Sequence, residues 1–125
     1  MKSSKLFVLL TFFIYFSSQV IAYAQTEKED LAIQLNSLIK SLSDRKTPPV
    51  EVGRLIDYAS TFFTNSAKIE VDYINPNIEG NEYKPRKYFF RISKMGENMI
   101  IIDPENIWGV DKKGRITGLT VTENY

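Results

Sequence analysis

Phe62-Phe63-Thr64-Asn65-Ser66-Ala67-Lys68-Ile69-Glu70-Val71 changes its hydrophobic period midway. On one side of it Val52, Leu55, Ile56, Ala59, Phe62 and Phe63 recur at helical spacing, and on the other Ala67, Ile69, Val71 and Tyr73 alternate with Lys68, Glu70 and Asp72. A period of 3.6 gives way to a period of two, so a helix hands over to a strand with one wet face, with Asn65-Ser66 breaking the pattern between them. A strand that is wet on one face is expected to pair in an antiparallel sheet. Its dry face needs a cover.

The segments upstream supply that cover. Thr26-Glu27-Lys28-Glu29 has the spacing of a capping box, and Leu31, Leu35, Leu38 and Leu42, widened by Ile39, form an apolar stripe that predicts a helix over residues 27–43. Pro48-Pro49 forbids its continuation and suits the first turn of a second helix, over residues 49–62, in which Gly53 is a mild weakness.

Downstream, Asn75-Pro76-Asn77 and Gly80-Asn81 bracket a surface loop. Pro85, then Tyr88, Phe89, Ile92 and Met95 at helical spacing, then Gly96 as a stop, predict a short helix over 85–95 with Phe90 comparatively exposed; its aromatic content argues for a strand instead. Met99-Ile100-Ile101-Ile102 reads as a strand buried on both faces, ended by Asp103-Pro104. Residues 107–110 and 115–122 read as two strands joined by Asp111-Lys112-Lys113-Gly114, with glycine where positive φ is wanted. Ile116 points opposite to Leu119 and Val121 unless one residue is extra, which places a bulge near Thr117-Gly118.

Lys2 and Lys5, the apolar run from Leu6 to Phe16, and Ala22-Tyr23-Ala24 before Gln25 have the pattern of a secretory signal cleaved after residue 24. Ser17, Ser18 and Gln19 interrupt the run short of the roughly 20 apolar residues that a span requires, so no stable membrane span is expected after cleavage. Residues 25–125 suffice for a single α+β domain. Without Lys2 and Lys5 the basic residues fall from 16 to 14 against 15 acidic ones, which leaves no electrostatic footprint for nucleic acid. The chain has no cysteine and no histidine. That excludes disulfides, thiol or histidine-based nucleophiles and the usual ligands of zinc, copper and haem. A disulfide-free exported domain is expected to be bacterial, periplasmic or secreted.

With its helices grouped ahead of a strand meander, the chain resembles the nuclear transport factor 2-like superfamily, the cystatin-like cone that also holds ketosteroid isomerases. The likeness rests on Phe62 to Val71 at the helix-to-strand junction, on Lys87-Tyr88-Phe89-Phe90-Arg91-Ile92 as the short third helix, and on Asp111 to Ile116 leading into Gly118-Leu119-Thr120-Val121. It implies a curved antiparallel sheet forming a cone, a small apolar ligand at the open end, and, in some members, a homodimer through the sheet.

Tyr58, Phe62, Tyr73, Tyr88, Phe89 and Trp108 come from different elements and are the candidate ligand-binding residues. The alternative is that Phe62 and Phe89 are plain core and that the tyrosines and Trp108 are core residues whose polar tips reach a partner or solvent. Isomerase chemistry would need a carboxylate base and a proton-donating tyrosine in an apolar site. Asp57, Asp72 and Asp103 lie near tyrosines or apolar runs, but on the polar side of a helix, on the wet face of a strand and at a proline bend, and no isomerase motif matches residue by residue. Asp103-Pro104-Glu105-Asn106 carries oxygen ligands but lacks the calcium-loop pattern, and the phosphate-binding glycine motif is absent, so no metal and no cofactor is expected. The expectation is an exported, non-enzymatic domain that binds a small apolar ligand or a protein partner. A small-molecule isomerase or lyase using an Asp/Tyr pair, and a domain that dimerises through its sheet, are the alternatives.

Overall fold

The computed structural model describes residues 26–96 and 100–124. The expected signal segment therefore lies outside the described residues, as does Met99. Helix α1 covers 26–43, α2 Pro49–Ser60, strand β1 Phe63–Tyr73, β2 Asn81–Tyr83, α3 Pro85–Met95, β3 Ile107–Val110 and β4 Ile116–Glu123. The fold is α+β, with three helices on one mixed four-stranded sheet of order β2-β1-β4-β3.

Each helix is placed by its apolar stripe. Leu31, Leu35, Leu38, Ile39 and Leu42 of α1, Ile56 and Ala59 of α2, and Tyr88, Phe89 and Ile92 of α3 are buried in one contiguous core with Ala67, Ile69 and Val71 of β1 and Leu119 and Val121 of β4. Prolines begin both α2 and α3, at positions where a missing amide costs nothing. Lys68, Glu70 and Asp72 face water, as the alternation requires. The third helix has the expected bounds, with Phe90 exposed on it. Gly114 takes φ 79° in the β3–β4 turn, and the β3–β4 register shifts twice: Ile107 pairs with Leu119 and Gly109 with Gly118, leaving Trp108 extra on β3, and Val110 pairs with Ile116, leaving Thr117 extra on β4. The extra residue on β4 turns Ile116, Leu119 and Val121 all toward the core.

Three expectations are corrected. The sheet is not antiparallel throughout: β1 pairs antiparallel with β2 but parallel with β4, Ile69 lying opposite Leu119 and Val71 opposite Val121. Burial pattern specifies which face of a strand is dry and says nothing about the direction of its neighbour. Asn65-Ser66 does not separate helix from strand, because β1 already begins at Phe63. Between the Phe63–Ile116 and Lys68–Gly118 pairs β1 advances five positions while β4 advances two, so the small polar residues form an irregular bulge inside the strand. The run at 100–102 is not a strand. Ile101 is 69% exposed there while Ile100 and Ile102 are buried. The Asn36 side chain of α1 satisfies the backbone of Ile102 in both directions, donating from Nδ2 to its carbonyl at 2.9 Å and accepting its amide on Oδ1 at 2.7 Å. A side-chain amide thus does what a neighbouring strand would have done.

Candidate functional site

Two features carry polar chemistry. The first is a groove of about 770 Å³ between α2 and α3. On α2 its lining comes from Pro49, Val52, Gly53 and Ile56, which share one face at helical spacing. On α3 it comes from Lys87, Phe90 and Lys94, three and four residues apart, with Arg86 and Ser93 beside them. Arg86 forms an ion pair with Asp57, which ties the two helices together at one side of the groove.

Two of these residues are at odds with ordinary helix design. Phe90 is 55% exposed on a helix whose other aromatics are fully buried. Gly53 sits inside α2, where glycine costs about 1 kcal/mol relative to alanine. A Cβ built on it would meet nothing within 4 Å. No close approach of neighbouring backbone demands this glycine; its missing side chain leaves the groove open. The charges are one-sided too, since among the described residues Arg86, Lys87 and Lys94 line the groove and no carboxylate does. Lys94 Nζ lies 5.3 Å from the centre of the Phe90 ring, within cation–π range.

The second feature is a buried polar cluster on the inner face of the sheet. Glu123, at the end of β4, is 1% exposed. The Tyr88 hydroxyl donates to its Oε1 at 3.2 Å and Arg91 Nη2 donates to its Oε2 at 2.8 Å. The guanidinium also lies 5.7 Å from the Tyr83 ring centre, and its Nε is buried without a hydrogen-bond partner among the described residues. Burial, then the charge of Glu123 and the bond to it, push the Tyr88 phenol well above its ordinary range. The bond to Glu123 likewise holds the Arg91 guanidinium protonated beyond its ordinary range.

This shift has a measurable consequence. A tyrosine in the unfolded chain ionises near about pH 10, whereas folded Tyr88 keeps its proton higher. The stability from that proton is complete below about pH 10 and falls as pH rises further, because the unfolded chain releases a proton the folded one retains. Urea midpoints should decline above that pH, and Tyr88→Phe should remove part of the decline. Identical alkaline slopes in the two proteins would contradict the assignment.

The six aromatics singled out from the sequence are not brought together. Tyr88 and Phe89 are fully buried, Phe89 packing between Phe63 at 5.7 Å and Tyr88 at 6.0 Å, ring centre to ring centre. Tyr58 is 54% exposed and meets half-buried Phe62 edge-on at 5.1 Å. Tyr73 is half-buried at the end of β1. Trp108 lies on the opposite face of the sheet, its ring over Gly118 and its Nε1 donating to Thr120 Oγ1 at 2.7 Å. None of the six lines the groove, whose aromatics are Tyr83 and Phe90.

Nor do the three aspartates face a buried tyrosine. Asp57 is paired with Arg86, Asp72 is exposed, and the amide of exposed Asp103 donates to Asn106 Oδ1 in the 3-10 turn Pro104–Asn106. The carboxylate that does meet a tyrosine is Glu123. The last strand expected from the sequence ends at Thr122, one residue short, although the period of two that turns Leu119 and Val121 inward carries Glu123 inward as well. The groove had two signals in the sequence, a glycine inside a helix and a phenylalanine off the buried stripe.

No family model, curated protein or solved structure matches the chain. Among the described residues, no helix is long and apolar enough to cross a membrane.

Proposed function

We propose that the chain is an exported, non-enzymatic binding domain that takes a small apolar ligand in the groove between α2 and α3. The observation that carries this reading is Gly53, a helix-weakening residue whose absent side chain leaves open a space of about 770 Å³ floored by Val52, Ile56 and Phe90. Ligand pockets commonly enclose about 300 to 1,000 Å³, are lined mainly by apolar groups and carry a few polar ones. Tyr88 and Glu123, the pair most suggestive of acid–base chemistry, do not line that space. Export rests on the signal pattern of residues 1–24. The likeness to the nuclear transport factor 2-like superfamily belongs to the same proposal, supported by the order of helices, the short third helix and the closing β3–β4 hairpin.

The test uses N-phenyl-1-naphthylamine, a neutral dye that brightens in apolar surroundings. Saturable binding to the wild type is expected, and Gly53→Phe should abolish it by filling the groove while leaving the thermal midpoint at or above that of the wild type. Gly53→Ala should keep dye binding and gain about 0.4 to 1 kcal/mol of stability. Undiminished dye binding by Gly53→Phe, with the fold intact, would overturn the reading.

A further inference from the structure

Resting on the groove reading, we infer that the occupant is a single-chain amphiphile with an anionic head, of the long-chain carboxylate type. Its apolar chain lies along Val52, Ile56 and Phe90, and its acid group pairs with Lys87 or Lys94 at the rim. Among the described residues, the groove lining contains three cations and no carboxylate. Arg86 is already engaged by Asp57. Neither Lys87 nor Lys94 has a carboxylate partner among the described residues. Both are exposed at the rim, Lys94 with its ammonium beside the Phe90 ring, so each can keep its charged head in water while its stem covers apolar surface.

The spacing favours a monoanion over a compact dianion. Lys87, Phe90 and Lys94 follow one stripe of α3, and the two lysines are about 10 Å apart along the helix axis at 1.5 Å per residue. They do not converge on one point as phosphate-binding donors do, nor do they offer the planar fork with which arginine grips a phosphate. An acyl chain over Phe90 instead brings its single charge to one lysine or the other. A cationic amphiphile of equal length meets like charge at the same rim and no compensating carboxylate.

Competition against N-phenyl-1-naphthylamine with four twelve-carbon probes below their micelle concentrations tests this: dodecanoate, dodecanol, dodecyltrimethylammonium and dodecyl phosphate. In low-salt buffer dodecanoate should displace the dye about tenfold more effectively than dodecanol, a preference in keeping with one or two exposed ion pairs, and the trimethylammonium probe should be the weakest. The preference should collapse at about 1 M salt, where the screening length is about 3 Å. The double variant Lys87→Met, Lys94→Met keeps the apolar stems and should bring dodecanoate down to the level of dodecanol measured on the same variant.

Equal displacement by dodecanoate and dodecanol in the wild type would overturn the inference while leaving the groove reading standing. So would a preference that survives the double substitution. Dodecyl phosphate outcompeting dodecanoate by about tenfold or more would overturn the carboxylate head in favour of a phospholipid fragment. Failure of Gly53→Phe to block the dye strikes the groove reading itself, so the two failures are separable.

Discussion

Replacing Ile69 by aspartate is expected to leave the domain largely unfolded at room temperature, whereas replacing its neighbour Lys68 by alanine should change stability by no more than about 1 kcal/mol. Ile69 is completely buried in the middle of β1, paired with Tyr83 on one side and Leu119 on the other. Aspartate there forfeits the burial of a large aliphatic side chain, about 1.5 to 3 kcal/mol, and puts an unpaired carboxylate among apolar groups, which costs several kcal/mol more. A domain of this length has only about 5 to 15 kcal/mol in total. Lys68 points the other way. Its side chain is 62% exposed and makes a 3.2 Å surface pair with Glu82, an interaction of the kind worth little in water. Urea melts followed by circular dichroism compare the two, and equal losses would mean that the two faces of β1 are misassigned.

Arg91→Met should be the most damaging of the polar substitutions, at about 3 to 5 kcal/mol, because it leaves the carboxylate of Glu123 in the core without its guanidinium partner, while the Tyr88 hydroxyl still donates to it. The reverse substitution is milder. The Arg91 side chain is 32% exposed and can turn toward water once Glu123 is gone, whereas Glu123 is 1% exposed and has no such escape. Combining Arg91→Met with Glu123→Leu removes both charges and should recover most of the loss, as replacement of buried ion pairs by apolar residues of similar size often does. Stability without recovery in the double variant would show that Arg91 acts through its packing against Tyr83 and not through Glu123. A double-mutant cycle read from urea midpoints gives the coupling directly.

Both predictions depend on strand parity, which can be read directly from the sequence. The alternation from Ala67 to Tyr73 identifies the dry face of β1, and the parity conflict between Ile116 and Leu119 calls for a bulge near Thr117-Gly118, where β4 does carry an extra residue. The stripe of Tyr88, Phe89 and Ile92 between Pro85 and Gly96 likewise resolved a segment whose aromatic content suggested a strand. The apolar run at 100–102 misled because continuous hydrophobicity does not distinguish a central strand from an irregular segment pinned to a helix. The pin, Asn36, lies 66 residues away. The six aromatics misled for a related reason: Phe62 falls in the turn after α2, which ends at Ser60 and not at residue 62, and although the other five sit on the expected elements, Trp108 and the pair Tyr88 and Phe89 lie on opposite faces of the sheet.

The sequence by itself determined the three helices, β1 and the closing hairpin of β3 and β4, with their buried faces and turns, because these follow from the short-range geometry of helix and strand: periods of 3.6 and two, prolines at first turns, and glycine at positive φ. It did not show β2, whose three residues Asn81–Tyr83 are too few to display a period. Tertiary structure alone decided that β1 and β4 run parallel, since β2, α3 and β3 lie between them in the chain and only the completed crossover sets their relative direction. It alone decided that Glu123 meets Tyr88 and Arg91 across separations of 35 and 32 residues. The groove belongs to the same class. It exists because α2 and α3, each with an unremarkable apolar face, pack so that Gly53 and Phe90 line the same space, and a void between two elements is a property of neither one's sequence.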